Sequence, residues 1–204
     1  MGFYNDQVLP RVIHVLLGGK SMRPLRTRAM EGLSGEVMEL GFGSGSNIGL
    51  YPEEVTRILA VEPSEIARSM AKDAIENSLI PVDLVGLDGQ SVPLEDNSVD
   101  NVLTTWTLCT IPDLDAALSE VRRILRPGGA VYYLEHGLSD NEKVARRQHQ
   151  FNPIQNRIGG GCNLNRKIDE LLTDAGFELE HPAKFRIAGP QIMSSMYSGV
   201  ARLR

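Results

Sequence analysis

The polar and apolar positions of this chain alternate between two periods. Near the N-terminus Val8, Val12, Val15 and Leu16 share one helical face, with Leu9, Ile13 and Leu17 beside it, and Gly18-Gly19 stops the helix. A second, basic helix is expected from about Ser21 to Met30, carrying Arg23, Arg26 and Arg28. Short apolar runs bounded by turn residues then read as buried strands: residues 36–40, Val55 to Val61, Pro81 to Leu87, Val99 to Thr105 and Ala130 to Leu134. Helices are expected between them, one capped by Ser64 with Ile66, Met70 and Ala74 facing the sheet. Another starts at Pro112-Asp113, with Leu114, Leu118, Val121 and Leu125 turned inward. Strands alternating with helices predict a parallel, doubly wound sheet. From Ser139 to Arg166 the pattern loosens into polar and glycine-rich sequence, a natural wall for an acceptor pocket. Asn163 or Asn165 then caps a helix running to Ala175, and Phe177 to His181 and Ser195 to Leu203 read as two strands with no helix between.

The stretch Glu36 to Asn47 organises the rest. It is a strand followed by Gly41, Gly43 and Gly45 at alternate positions, then a helix entry, the opening of a nucleotide-binding βαβ unit. The dinucleotide pattern G-x-G-x-x-G needs glycine at position 46, where Ser46 stands. The second strand ends at Glu62-Pro63-Ser64, about 20 positions on, where a carboxylate grips ribose hydroxyls. Asp88-Gly89, at the end of the third strand, is placed to read an adenine edge, or is simply a turn.

Length and composition narrow the class. With 204 residues, 42% of them hydrophobic, the chain is expected to form one domain with ample core. We divide it into an N-terminal helical lid (1–34), a nucleoside-binding core (35–137), an acceptor-pocket insert (138–166) and a C-terminal helix and strand pair (167–204). A net charge of −5 gives no electrostatic footprint for nucleic acid. Two cysteines, Cys109 and Cys162, are too few for a disulfide framework, and with no signal-peptide pattern they point to a cytoplasmic protein. No apolar run approaches the roughly 18 residues of a membrane span, and the basic N-terminal helix is weak grounds for peripheral membrane contact. His14, His149 and His181 lack spaced partners for a metal, so none is expected.

Five passages together resemble the class I S-adenosylmethionine (SAM) methyltransferases of the type 11 group: ELGFGSG at 39–45, VEPS at 61–64, LDGQSVPL at 87–94, SVDNVLTTWTLCTI at 98–111 and VRRILRPGGAVYYLEHG at 121–137. NIGLYP at 47–52, LEH at 134–136 and GCNLNR at 161–166 are similar to the narrower alkyl-thiol methyltransferase-like proteins and their bacterial relatives. The chain departs from the animal members in lacking a hydrophobic N-terminal anchor. The resemblance implies a Rossmann-like seven-stranded sheet, mostly parallel with an antiparallel last strand and helices on both faces. It implies SAM as cofactor, S-adenosylhomocysteine as product and a small-molecule acceptor. It places Glu39, Gly41, Gly43 and Gly45 around the methionine part and ribose, Glu62 on the ribose hydroxyls, and Pro63 and Ser64 near the adenine. Asp88 and Gly89 would meet the adenine edge, and Thr105 and Trp106 the sulfonium side.

An in-line displacement on a sulfonium methyl mostly asks for alignment. His136 is the candidate base or acceptor-orienting group, with Glu135 its partner or a buried paired acid. Cys162 and Asn163 line the insert, and Arg166 is expected to pair with an acid or with the acceptor. The rival readings are a nicotinamide-dependent oxidoreductase, disfavoured by Ser46 and the antiparallel finish, and a SAM-binding module without catalysis.

Overall fold

The computed structural model describes residues 2–203. Its strands are β1 (Gly35–Leu40), β2 (Val55–Val61), β3 (Val82–Gly86), β4 (Val99–Thr105), β5 (Leu125–His136), β6 (Phe177–Arg186) and β7 (Ser195–Leu203). They form one sheet in the order β3-β2-β1-β4-β5-β7-β6. The first five pair in parallel, while β7 runs antiparallel to both neighbours. The helices are α1 (Leu9–Leu17), α2 (Arg23–Ala29), α3 (Glu65–Glu76), α4 (Leu114–Ile124), α5 (Glu142–Ile158) and α6 (Ile168–Asp174). Because β1 lies between β2 and β4, the chain reverses its direction of travel there, opening a crevice beyond the carboxyl ends of these strands.

Both faces of the sheet are covered, so the central strands bury apolar residues on both sides rather than alternating, with polar residues toward their ends. Val37, Ile58, Leu103 and Tyr132 pack with Met30, Leu33 and Ala71 on one face. Their chain neighbours Met38, Leu59, Val102 and Tyr133 pack with Leu118 and Val121 of α4 and Ile168 and Leu172 of α6 on the other. Among the described residues no helix is long and apolar enough to cross a membrane.

Several elements depart from the sequence reading. The loosened stretch after β5 holds α5, a 17-residue helix. It buries only Val144 and Gln148 and carries Pro153, while Phe151, Ile154 and Ile158 lie exposed, so no apolar stripe is buried. It is held instead by polar bonds: Asn141 caps Lys143 and Val144, and Gln148 accepts from Ser139 N and donates to the carbonyls of Gly137 and Ile192. Neither Asn163 nor Asn165 caps α6, which starts after Lys167 without a side-chain cap. On α3 the buried residues are Ala67 and Ala71, with Ile66, Met70 and Ala74 half-buried beside them, since small residues admit the close approach to the sheet. Leu125 ends α4 and begins β5, which continues through a bulge at Arg126 to Gly129. In α1 only Leu9 is buried; Val12, Val15 and Leu16 lie exposed, so the apolar face expected to pack does not.

Candidate active site

The glycine turn after β1 packs against β2, Gly41 N and Phe42 N both donating to Val61 O. Gly41, Gly43 and Gly45 all have positive φ, which favours glycine. Their surroundings differ. A Cβ on Gly41 would stand 2.0 Å from Thr107 Oγ1, so packing requires glycine there, while one on Gly45 would only crowd Ile48 at 3.2 Å. A Cβ on Gly43 would meet nothing within 4 Å. The space beside Gly43 is therefore open. Glu62 is 7% exposed, and its oxygens accept from Gly43 N at 2.7 Å and Ser64 N at 2.8 Å. Each oxygen keeps a second acceptor position, and burial pushes the carboxyl above its usual range. Ser64 also caps α3 through Ala67 N, and Pro63 is exposed beside it. Asp88 is exposed beyond β3, held below the usual carboxylate range by the Gln90 amide that bonds it. Gly89 allows close packing on β1, for a Cβ there would lie 2.4 Å from Leu40 Cδ1.

A buried polar network fills the crevice between β1 and β4. Glu39 accepts from Asn47 Nδ2 at 2.7 Å and from the Tyr51 hydroxyl. Burial pushes its carboxyl up to about 7. Arg26 of α2 donates to Asn47 Oδ1 at 2.8 Å, to Thr105 Oγ1 at 3.0 Å and to Leu17 O. Its guanidinium lies 4.7 Å from the centre of the Trp106 ring. Trp106 itself has φ 53, a strained conformation for a large side chain and one that concentrates at functional sites. His14 Nδ1, on α1, reaches Ser44 Oγ at 2.6 Å. The N-terminal helices therefore touch the glycine turn and the end of β4. Arg26, Asn47 and Tyr51 were not singled out from sequence as site residues; the NIGLYP passage was the available signal for two of them.

The carboxyl ends of β4 and β5 gather the acceptor-side candidates. His136 is 5% exposed, and its Nε2 is buried without a hydrogen-bond partner among the described residues. Glu135 is not its partner, because successive strand residues face opposite ways. The Glu135 carboxylate accepts from Thr104 Oγ1 and Thr107 N instead, and burial pushes it up to about 7. Cys162 lies beside His136, Sγ to Nδ1 4.0 Å, and 3.7 Å from Cys109 Sγ. The bond shared with Cys109 and the nearby His136 draw the Cys162 thiol down, while the same bond and burial push Cys109 up. Asn163 is taken up by loop contacts: its amide donates to the carbonyls of Cys109 and Gly161, and its Oδ1 accepts from Asn152 and Asn156. Arg166, expected to meet an acid or the acceptor, donates to the carbonyls of Leu108 and Ile111 and so pins the loop after β4.

Comparison with known proteins agrees with this architecture. A family model described as "Methyltransferase domain" matches residues 38–133. Human thiol S-methyltransferase TMT1B is 33% identical over 178 residues, spanning 81% of this chain and 72% of that protein. A SAM-dependent methyltransferase structure from Methanosarcina mazei superposes with a TM-score of 0.64 at 20% identity, over 82% of this chain and 92% of the other. The [4+2]-cyclase SpnF superposes as well, with a TM-score of 0.69 at 18% identity, over 90% and 81% of the two chains. These structural likenesses show the fold alone, and the fold hosts more than one reaction. With one third of the aligned residues shared with a thiol S-methyltransferase over most of both chains, this chain belongs to the SAM-dependent methyltransferase family and uses SAM as its cofactor.

Proposed function

We propose that the chain methylates the sulfur of a small-molecule thiol. The observation that carries this reading is the likeness to a thiol S-methyltransferase, 33% identical and spanning most of both chains. Glu39 is held by Asn47 and Tyr51, while Thr104 and Thr107 hold one oxygen of Glu135 and the other is buried without a hydrogen-bond partner among the described residues. A thiol, with a free pKa near 8.5, needs only alignment and modest help. SAM supplies an electrophilic methyl on a sulfonium sulfur; the chain's residues hold it and bring the acceptor into line. In this reading Glu62 binds the ribose, Gly41, Gly43 and Gly45 let the backbone approach, and Glu39 faces the methionine part. Pro63, Ser64, Asp88 and Gly89 flank the adenine, while Thr105 and Trp106 border the sulfonium. His136 orients the acceptor through Nε2, and Cys162 lines the same wall. Asn163 and Arg166 act there by shaping the loop after β4. The N-terminal helices act as a lid, supported by the contacts of His14 and Arg26. A reducing compartment such as the cytoplasm fits the two thiols, adjacent yet not joined in a disulfide. The relative's printed activity toward thiols favours the same acceptor class.

The test is methyl transfer from labelled SAM to matched panels of alkyl thiols, phenols, amines and alcohols. Transfer confined to the thiols is expected. Turnover of another class with the thiols left unmodified would reject the acceptor assignment.

A further inference from the structure

Three metal-ligating side chains, far apart along the chain, meet at the ends of β4 and β5. Cys109 lies in the loop after β4, His136 ends β5, and Cys162 follows α5. One ligand atom from each lies within 4.8 Å of the other two. The sulfurs are 3.7 Å apart, and Cys162 Sγ is 4.0 Å from His136 Nδ1. In a tetrahedral zinc site, with Zn–S about 2.3 Å and Zn–N about 2.05 Å, the corresponding edges are about 3.8 Å and about 3.6 Å. The sulfur edge agrees and the Cys162–His136 edge is long by about 0.4 Å, while Cys109 and His136, within 4.8 Å of one another, would draw together on the cation. A disulfide would need its sulfurs at about 2.04 Å, far closer than these. Two thiolates and an imidazole form a donor set selective for soft or borderline cations.

We infer that Cys109, His136 and Cys162 form a site for one thiophilic divalent cation of the zinc class, with a fourth coordination position open to a small ligand. Each thiol passes its proton to solvent as its sulfur bonds the cation. His136 then binds through Nδ1, leaving the Nε2 hydrogen free to donate. The cation ties together the loop after β4, the end of β5 and the segment after α5. Three protein ligands with one open position is the arrangement of exchangeable sites, and a thiolate is a preferred occupant. That last step rests on the thiol-acceptor reading; the cation site does not.

Titration of the reduced chain with cobalt(II), a zinc substitute with a visible spectrum, tests the site. One equivalent is expected to bind, with a thiolate-to-cobalt band in the near ultraviolet and tetrahedral bands in the visible, all bleached by zinc. Cys109→Ser and Cys162→Ser are each expected to weaken cobalt binding at least about tenfold, with SAM affinity kept within about threefold as the check on folding. The inference is overturned if the reduced wild-type chain takes up no cobalt, or if folded variants bind it as tightly as wild type. Should a variant misfold, the wild-type stoichiometry and spectrum decide the matter. Thiol methylation is measured alongside: transfer without any cation uptake removes the metal site and leaves the methyltransferase assignment intact.

Discussion

Glu62 and Gly43 meet through one hydrogen bond, and their roles separate by substitution. Glu62→Ala removes the acceptor of two backbone amides and, in the proposed role, the ribose ligand. Charge-assisted bonds contribute about 1.5–3 kcal/mol each, so SAM affinity is expected to fall about 10–100-fold by calorimetry; unchanged affinity removes Glu62 from the ribose. Gly41→Ala and Gly43→Ala both place a side chain at positive φ, at a cost of about 1–2 kcal/mol. Only the first also collides with Thr107. We expect Gly41→Ala to unfold at markedly lower temperature, and Gly43→Ala to lose SAM affinity beyond its modest loss of stability. Equal loss of stability in the two would show that Gly43 is packed rather than open. His136→Ala is expected to lower turnover far more than SAM affinity, measured by single-turnover kinetics beside calorimetry. The meeting of the glycine turn with Glu62 was legible because glycines and acids at strand ends have fixed spacing. The Cys109, His136 and Cys162 grouping was not, since residues 27 and 26 positions apart meet only when the sheet forms.

Apolar periodicity revealed the elements that bury an apolar stripe and missed the one that does not. α4, with Leu114, Leu118 and Val121 inward, was readable residue by residue. α5 was invisible, because Gln148, fully buried, holds it by three hydrogen bonds. Gln148→Leu keeps the bulk and strands Ser139 N and two carbonyls. At about 1–3 kcal/mol for an unsatisfied buried group, the variant is expected to show a clearly lower urea midpoint. A midpoint equal to wild type would mean that water replaces the amide. α1 erred the other way, its stripe real in sequence but exposed in the structure. Periodicity reports that a face exists, while its burial depends on what the rest of the chain places opposite.

Across the whole molecule, two buried carboxyls set an unusual pH dependence. Glu39 and Glu135 are both pushed up to about 7, against about 4.3 in an unfolded chain. Between those values the folded protein binds more protons than the unfolded one, so their contribution, complete below about pH 4.3, is lost as pH rises through about 7. Glu39→Gln cannot ionise, and its stability is expected to decline less than that of wild type between about pH 5 and about pH 7.5 in urea titrations. Parallel declines would show that Glu39 stays ionised in its network. The strand order carries a consequence for synthesis. β6 leaves the ribosome before β7, yet β7 occupies the place between β5 and β6. Until β7 emerges, β6 has no strand partner and the edge of β5 stays bare, so the outer two strands can join the sheet only once the last of them is made.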